Sequence, residues 1–266
     1  MRKWLWWLLP LVLLGLLAAS AGFYTDWLWF KDVGYASVFW KGITSQLAIA
    51  ALVASVVFVL VFVNLVLVRR NLMASTDVIE TEDERFFPGA NRYLDWLNTI
   101  LRSRFITWLQ VAIAAAIAFI WANGFSGSWL QWEMFLNRTS FELADPIFGH
   151  DVSYYLFQLP FLSHAYFSAF LLLLGLLAFA LVVYSIAGLL SRHTAAGRSA
   201  IAHVSGLLAL VLGAWAYGNK LAIDKLVFSP RGVAFGASYT DMFASLPLYR
   251  IIIGLSLLLA VGRSEE

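Results

Sequence analysis

The stretch Leu47-Ala48-Ile49-Ala50-Ala51-Leu52-Val53-Ala54-Ser55-Val56-Val57-Phe58-Val59-Leu60-Val61-Phe62-Val63-Asn64-Leu65-Val66-Leu67-Val68 runs without a charge and ends abruptly at Arg69-Arg70. As a helix rising 1.5 Å per residue it is roughly 33 Å long, enough to cross a hydrocarbon core of about 30 Å. It lacks the strict alternation of a barrel strand. A segment in lipid must pair its own backbone N–H and C=O groups, and a helix does this locally.

Five more apolar runs lie around it: Trp4 to Phe23, Phe105 to Ala122, Ala165 to Leu190, Ile201 to Tyr217 and Leu246 to Val261. The last is the weakest, with Pro247 and Arg250 near its start. The expected fold is therefore all-α: one polytopic transmembrane bundle over residues 1–266, with about six spanning helices plus interfacial helices. Composition agrees. Hydrophobic residues make up 61% and charged residues 13%, against about 45–50% and 25% in soluble domains. A bilayer supplies the apolar solvent that such a chain needs.

Composition also excludes chemistry. There are no cysteines, which removes disulfides, thiolate metal sites and cysteine nucleophiles. The net charge is +2, and no basic block resembles a nucleic-acid arm. The 12 Trp, 10 Tyr and 21 Phe suit membrane–water interfaces, where amphipathic rings settle.

The first run has two readings. Arg2 and Lys3 before an apolar core, then Ala19-Ser20-Ala21, fit a cleavable signal peptide. The apolar length and the aromatic residues that follow fit an uncleaved anchor, which is preferred. Basic residues set the orientation. With the N-terminus in the cytoplasm, Arg2, Lys3, Arg69, Arg70, Arg85, Arg92, Arg102, Arg104, Arg192, Arg198 and Arg263 fall inside. Lys31, Lys41, Arg138, Lys220, Lys225, Arg231 and Arg250 fall outside or at the outer interface. Both termini are then cytoplasmic, and the expected location is the plasma (inner) membrane.

The loops differ. Val68 to Arg104 reads as a polar cytoplasmic loop with an acidic cluster, Asp77, Glu80, Glu82, Asp83 and Glu84. The cluster lacks the ligand spacing of a calcium loop and reads as a solvated face. Asn123 to Leu162 and Gly218 to Ser245 read as outer loops. Asp26 to Lys41, with Trp27, Trp29, Phe30, Tyr35 and Trp40, reads as a helix lying in the outer interface or as a docking surface. Asp145 to Phe161 reads as a turn at Pro146 and Gly149, then an interfacial helix ending at Pro160. Asp145, His150 and Asp151 could be imagined as metal ligands, but their spacing matches no recognised site. No metal and no cofactor are expected.

None of the six runs contains Asp or Glu, although ion-coupled transporters usually keep ionisable groups in the membrane. The polar exceptions are Asn64, Gln110, His203, Lys220 just past the fifth run, and Arg250. Asn64 and Gln110 suit interhelical hydrogen bonds of about 1 kcal/mol. His203 sits near the cytoplasmic end, and no proton relay emerges. No nucleophile elbow, paired-His motif or phosphate loop is present.

Three segments carry a family resemblance. Asp26-Trp27-Leu28-Trp29-Phe30-Lys31-Asp32-Val33-Gly34-Tyr35 through Phe39-Trp40 resembles a signature of the uncharacterised protein family 0182, a group of bacterial membrane proteins. Pro146-Ile147-Phe148-Gly149-His150-Asp151 through Tyr155-Leu156-Phe157-Gln158-Leu159-Pro160-Phe161-Leu162 resembles a second family segment, and Gly236-Ala237-Ser238-Tyr239-Thr240-Asp241 a third. The resemblance implies a bacterial plasma-membrane bundle of about seven helices followed by a large extracytoplasmic portion. The sequence ends after the sixth run, so the seventh helix and that portion are expected to be missing. The family implies no catalytic or ligand-binding residues.

The expected function is a non-enzymatic membrane module that anchors or organises extracytoplasmic or envelope components. A transporter or channel subunit is the alternative. The candidate interfacial or partner surface is Asp26, Trp27, Trp29, Phe30, Tyr35, Trp40, Phe148, Asp151, Tyr155, Phe157, Tyr239 and Asp241. Expected partners are the lipid bilayer and an envelope protein or a second copy of the chain, not nucleic acid. For an intramembrane enzyme, the reading ranked last, the outer candidates would be His150, Asp151, Tyr239 and Asp241.

Overall fold

The structure is a computed structural model that describes residues 5–83, 96, 98–232 and 235–262. It is an up-and-down helical bundle: α1 (Leu5–Asp32), α2 (Ala36–Asp83), α3 (Arg104–Ser126), the short α4 (Trp129–Leu136), α5 (Leu159–Ile186), α6 (Ala195–Asp224) and α7 (Leu246–Gly262). Within the described residues, five helical segments are long and apolar enough to cross a membrane: Ala36–Ser75, Arg104–Ser126, Tyr154–Ile186, Ala195–Phe228 and Asp241–Gly262. α1 covers the first apolar run as one helix of 28 residues, continuing past Ala19-Ser20-Ala21.

The core sits where α2, α3, α5 and α6 meet. Val57 and Val61 of α2, Ala114 and Ala118 of α3, Leu176 and Ala180 of α5, and Ala200 and Leu207 of α6 are buried together. Small residues at the contacts let backbones approach closely, as helix pairs in lipid require. α7 packs along α6. The outward faces are apolar: Phe119 is 72% exposed and Leu258 71%. In water such faces would drive association; in lipid they need no cover.

Four segments depart from the expectations, each for a local reason. Asp26 to Lys41 is not one interfacial helix. It is the end of α1, a turn at Gly34 (φ +85°), and the start of α2. Gly34 adopts the left-handed region that a side chain disfavours, and the chain folds back so that Phe23 meets Phe39 at 5.3 Å.

The stretch after Arg70 is not a loop at first, because α2 continues as helix to Asp83. Glu84 to Tyr93 and Arg2, Lys3 and Arg263 lie outside the described residues. Likewise α6 runs through Gly218 to Asp224 and a 3-10 turn follows at Lys225–Phe228.

The helix of the Asp145 to Phe161 segment does not end at Pro160; it runs into α5. The five residues before Leu159, Tyr154–Gln158, form a π turn in which the Leu159 N–H donates to the Tyr154 carbonyl. Pro160 has no N–H for the Leu156 carbonyl and its ring would collide with it. Widening the preceding turn moves that carbonyl aside. The same device recurs before α7. Asp241–Ser245 is a π turn, the Leu246 N–H donates to the Asp241 carbonyl, and Pro247 follows.

Candidate functional site

One end of the bundle carries α4 and the loops around Asp145 and Asp241; we call it the aromatic end. The other carries Arg69, Arg102, Arg104, Arg192 and Arg198, the basic end. At the aromatic end, carboxylates hold the loops in place.

Asp151 accepts from Ser140 Oγ (2.6 Å), the Ser153 N–H (2.7 Å) and the Phe141 N–H (3.2 Å). These donors, the Ser140 hydroxyl foremost, hold its carboxyl well below the usual range. Asp145 accepts from the Phe148 N–H (2.6 Å) and the Ile147 N–H (3.2 Å), closing the turn at Gly149 (φ +72°). Ala144 and Asp151 form an antiparallel bridge across it. The short Asx geometry explains why these types sit here, and both carboxylates serve the loop backbone. Among the described residues, no three His, Cys, Asp or Glu side chains converge as metal ligands.

The loop is tied to α6 by a second cluster. Asp224 is buried. It accepts from the Tyr154 hydroxyl (2.5 Å) and from Lys220 Nζ (2.6 Å), with His150 Nε2 at 3.7 Å. Lys220 Nζ also donates to the Tyr154 oxygen at 3.0 Å. The His150 ring lies 4.6 Å from that of Tyr154. Tyr155 is buried against Phe228 and reaches Asp145 at 3.4 Å. Lys220 and Asp224 are four apart on one helix face, a spacing that pairs charges. That spacing was readable in the sequence, but only once the helix is known to pass Gly218.

Asp241 is the third anchor. It is fully buried and accepts from Ser238 Oγ (2.8 Å), the Ser238 N–H (3.1 Å) and Arg231 (3.3 Å). It thereby ties the loop after Ser229 to the start of the last helix. α4 is clasped to α2 by Glu133, which pairs with Lys41 at 3.1 Å and accepts from Ser45 Oγ. The Ser45 hydroxyl, then Lys41, hold the Glu133 carboxyl below its ordinary range. Trp132 and Phe135 of α4 pack on Phe161, and Trp129 covers Gly42.

The twelve residues of the candidate surface therefore divide. Asp151, Tyr155 and Asp241 are buried or committed within the loops. Phe148 is half-buried, and Phe157, also half-buried, meets Phe141. Trp29 and Tyr35 (60% exposed each), Trp40 and Tyr239 (77%) stay open, Asp26 is exposed, and Trp27 and Phe30 are half-buried. Phe243 stacks beside Tyr239 at 4.3 Å. The structure does not bring all twelve into one patch. The residues around Asp145 and Asp241 share the α6 side, while Trp27 to Tyr35 remain on the α1–α2 turn.

The fold and this built end define an all-helical bundle with five segments long and apolar enough to cross a membrane among the described residues, and an aromatic loop face. The sequence profile of the uncharacterised protein family UPF0182 matches residues 3–263, and the chain belongs to that family. It is 34% identical over 259 residues to the UPF0182 protein of Moorella thermoacetica, covering 93% of this chain and 27% of that one. The UPF0182 proteins of Pelotomaculum thermopropionicum and Desulforamulus reducens are 33% and 30% identical over 266 residues, covering 95% and 94% of this chain and 28% of each relative. The chain thus spans just over a quarter of the length of these relatives. No solved structure matches it.

Proposed function

We propose that this chain is the membrane-embedded platform of a bacterial plasma-membrane protein. In this reading it is non-enzymatic, and its aromatic end faces out of the cell to hold extracytoplasmic or envelope components. Both ends of the chain lie in the cytoplasm. The observation behind it is that the aromatic end is a fixed surface. Asp145, Asp151, Asp224 and Asp241 direct their oxygens inward to loops and neighbouring helices, leaving Tyr239 outward, while Trp29 and Tyr35 are exposed on the α1–α2 turn. Preorganised aromatic surfaces lose little entropy on contact. The basic residues at the opposite end support the orientation.

The test is photo-crosslinking in cells from Tyr35 and Tyr239, with lipid-facing Phe119 as control. Adducts to extracytoplasmic polypeptide from the first two but not from Phe119 are expected. Adducts to lipid alone at all three positions would show that these rings are only membrane anchors.

A second reading, a transporter or channel subunit, draws on the polar side chains Asn64, Asn71, Tyr184 and His203 inside the bundle. Solute flux in proteoliposomes above that of empty vesicles, lost on His203→Ala, would favour it; flux equal to empty vesicles across a broad solute panel would remove it.

A further inference from the structure

Five polar side chains meet where α2, α5 and α6 cross, within the membrane-crossing segments. Ser199 Oγ donates to Asn71 Oδ1 at 2.8 Å, and Asn71 Nδ2 donates to the Tyr184 hydroxyl at 2.7 Å. The Tyr184 oxygen lies 2.9 Å from His203 Nδ1, and His203 Nε2 lies 3.5 Å from the Asn64 amide. Tyr184 is fully buried, and Asn64 and Asn71 are nearly so.

Counting donors gives the chain a direction. Asn71 uses its oxygen for Ser199, so its NH2 faces Tyr184 and the Tyr184 oxygen accepts. The Tyr184 proton then has His203 Nδ1 as its acceptor. A neutral imidazole that accepts at Nδ1 carries its hydrogen on Nε2. That N–H points at the Asn64 amide, so the amide oxygen must face the ring. Amide orientations are assigned from such networks. This orientation gives a donor to Asn64 Oδ1, a buried oxygen that otherwise has no hydrogen-bond partner, and turns the amide NH2 to the side the oxygen leaves.

We propose that His203 is a proton-binding site inside the membrane, whose occupancy sets how firmly α2, α5 and α6 are held together. A proton added at Nδ1 places two N–H donors, from His203 and Asn71, on one tyrosine hydroxyl. The oxygen can take both, but the hydroxyl's own hydrogen loses its acceptor, leaving a buried unpaired O–H beside a buried charge. Among the described side chains, which do not include those of 76–83, no anion faces the charged ring. From α2 come the neutral Asn64 and Asn71, while Arg69 turns to the Leu101 carbonyl (2.6 Å) and Thr107 (2.8 Å). α5 offers Tyr184. On α6 itself, Arg198 reaches the Arg192 carbonyl. Tyr249 and Arg250 of α7, and Lys225 after α6, lie at the aromatic end. An uncompensated charge in such a setting is costly. Asn71 interrupts the hydroxyl and imidazole groups with an amide, so the arrangement is a lock and not a proton wire.

The test is nitrogen NMR of the full chain with labelled histidine in phospholipid nanodiscs, read alongside amide exchange. There are 4 His, and the signal missing in His203→Gln identifies the ring. At about pH 7.5 it should be neutral with its hydrogen on Nε2, and Tyr184→Phe should move its Nδ1 signal. Stepwise acidification should charge it, and exchange around Asn71 and Tyr184 should speed roughly tenfold as it does. His203→Gln should abolish that acceleration. An Nδ1–H tautomer, a ring neutral throughout, or an acceleration that persists in His203→Gln would overturn the proposal. Should His203→Gln fail to fold, an Nδ1 signal unmoved by Tyr184→Phe would do the same.

Discussion

At the scale of single residues, the acidic side chains explain most of the order at the aromatic end. Glu133 and Asp151 are held below their ordinary values of 4.5 and 3.8 by hydroxyl, amide and, for Glu133, Lys41 donors. The folded protein therefore prefers their charged forms. Their stabilisation is complete at neutral pH, begins to fade as pH drops below those ordinary values, and is lost as pH falls through the depressed ones. Limited proteolysis of the segment from Trp129 to Pro160 should accelerate as pH is lowered through that window. Glu133→Gln and Asp151→Asn should be cut faster at neutral pH and show a flatter profile. Equal cleavage of wild type and variants at neutral pH would contradict the assignment. The sequence showed these acids as outer-loop residues. It did not show that Asp151 and Asp241 are anchors, because their donors, Ser140 and Ser238 among them, acquire meaning only when the loops close.

At the scale of elements, helix packing turns on a few close approaches. A Cβ on Gly218 would lie 2.0 Å from the Tyr166 hydroxyl oxygen and 2.1 Å from its ring. Gly218→Ala must therefore push α6 off α5 or displace Tyr166. Overpacking of this kind costs about 1–3 kcal/mol. Thermal unfolding in detergent should show the loss, and adding Tyr166→Leu should recover part of it, a non-additivity expected of touching residues. A Gly218→Ala variant as stable as wild type would show that the two helices are free to part. The helices themselves were legible in the sequence, because long apolar runs report membrane length without needing a partner. Their ends were not. Helix α6 continues through Lys220 to Asp224 because Tyr154 and His150 bring partners to the buried carboxylate, and those partners lie some seventy residues away. The π turns before Pro160 and Pro247 were similarly hidden. A proline signals a break, and only the paired backbone shows the helix widening to pass it.

For the whole molecule, the orientation proposed above has a direct check, because the chain has no cysteine of its own. Single substitutions Tyr239→Cys and His193→Cys stand on the aromatic and basic ends. A membrane-impermeant thiol reagent applied to intact cells should label the first and spare the second until the membrane is opened. The opposite pattern would invert the topology and remove the platform reading with it.

From its composition and apolar lengths alone, the chain declared an all-helical bundle of about six membrane-length segments, with aromatic loops gathered at one end and most of the arginines at the other. That much is a property of transfer from water to lipid, which acts on each segment by itself. Which polar groups meet was decided by the tertiary structure. Asn64, Asn71, Tyr184, Ser199 and His203 are spread over three helices, and Asp224 is paired across a gap of 70 positions. A hydrogen bond depends on position to within a fraction of an ångström, and packing, not hydropathy, sets that position.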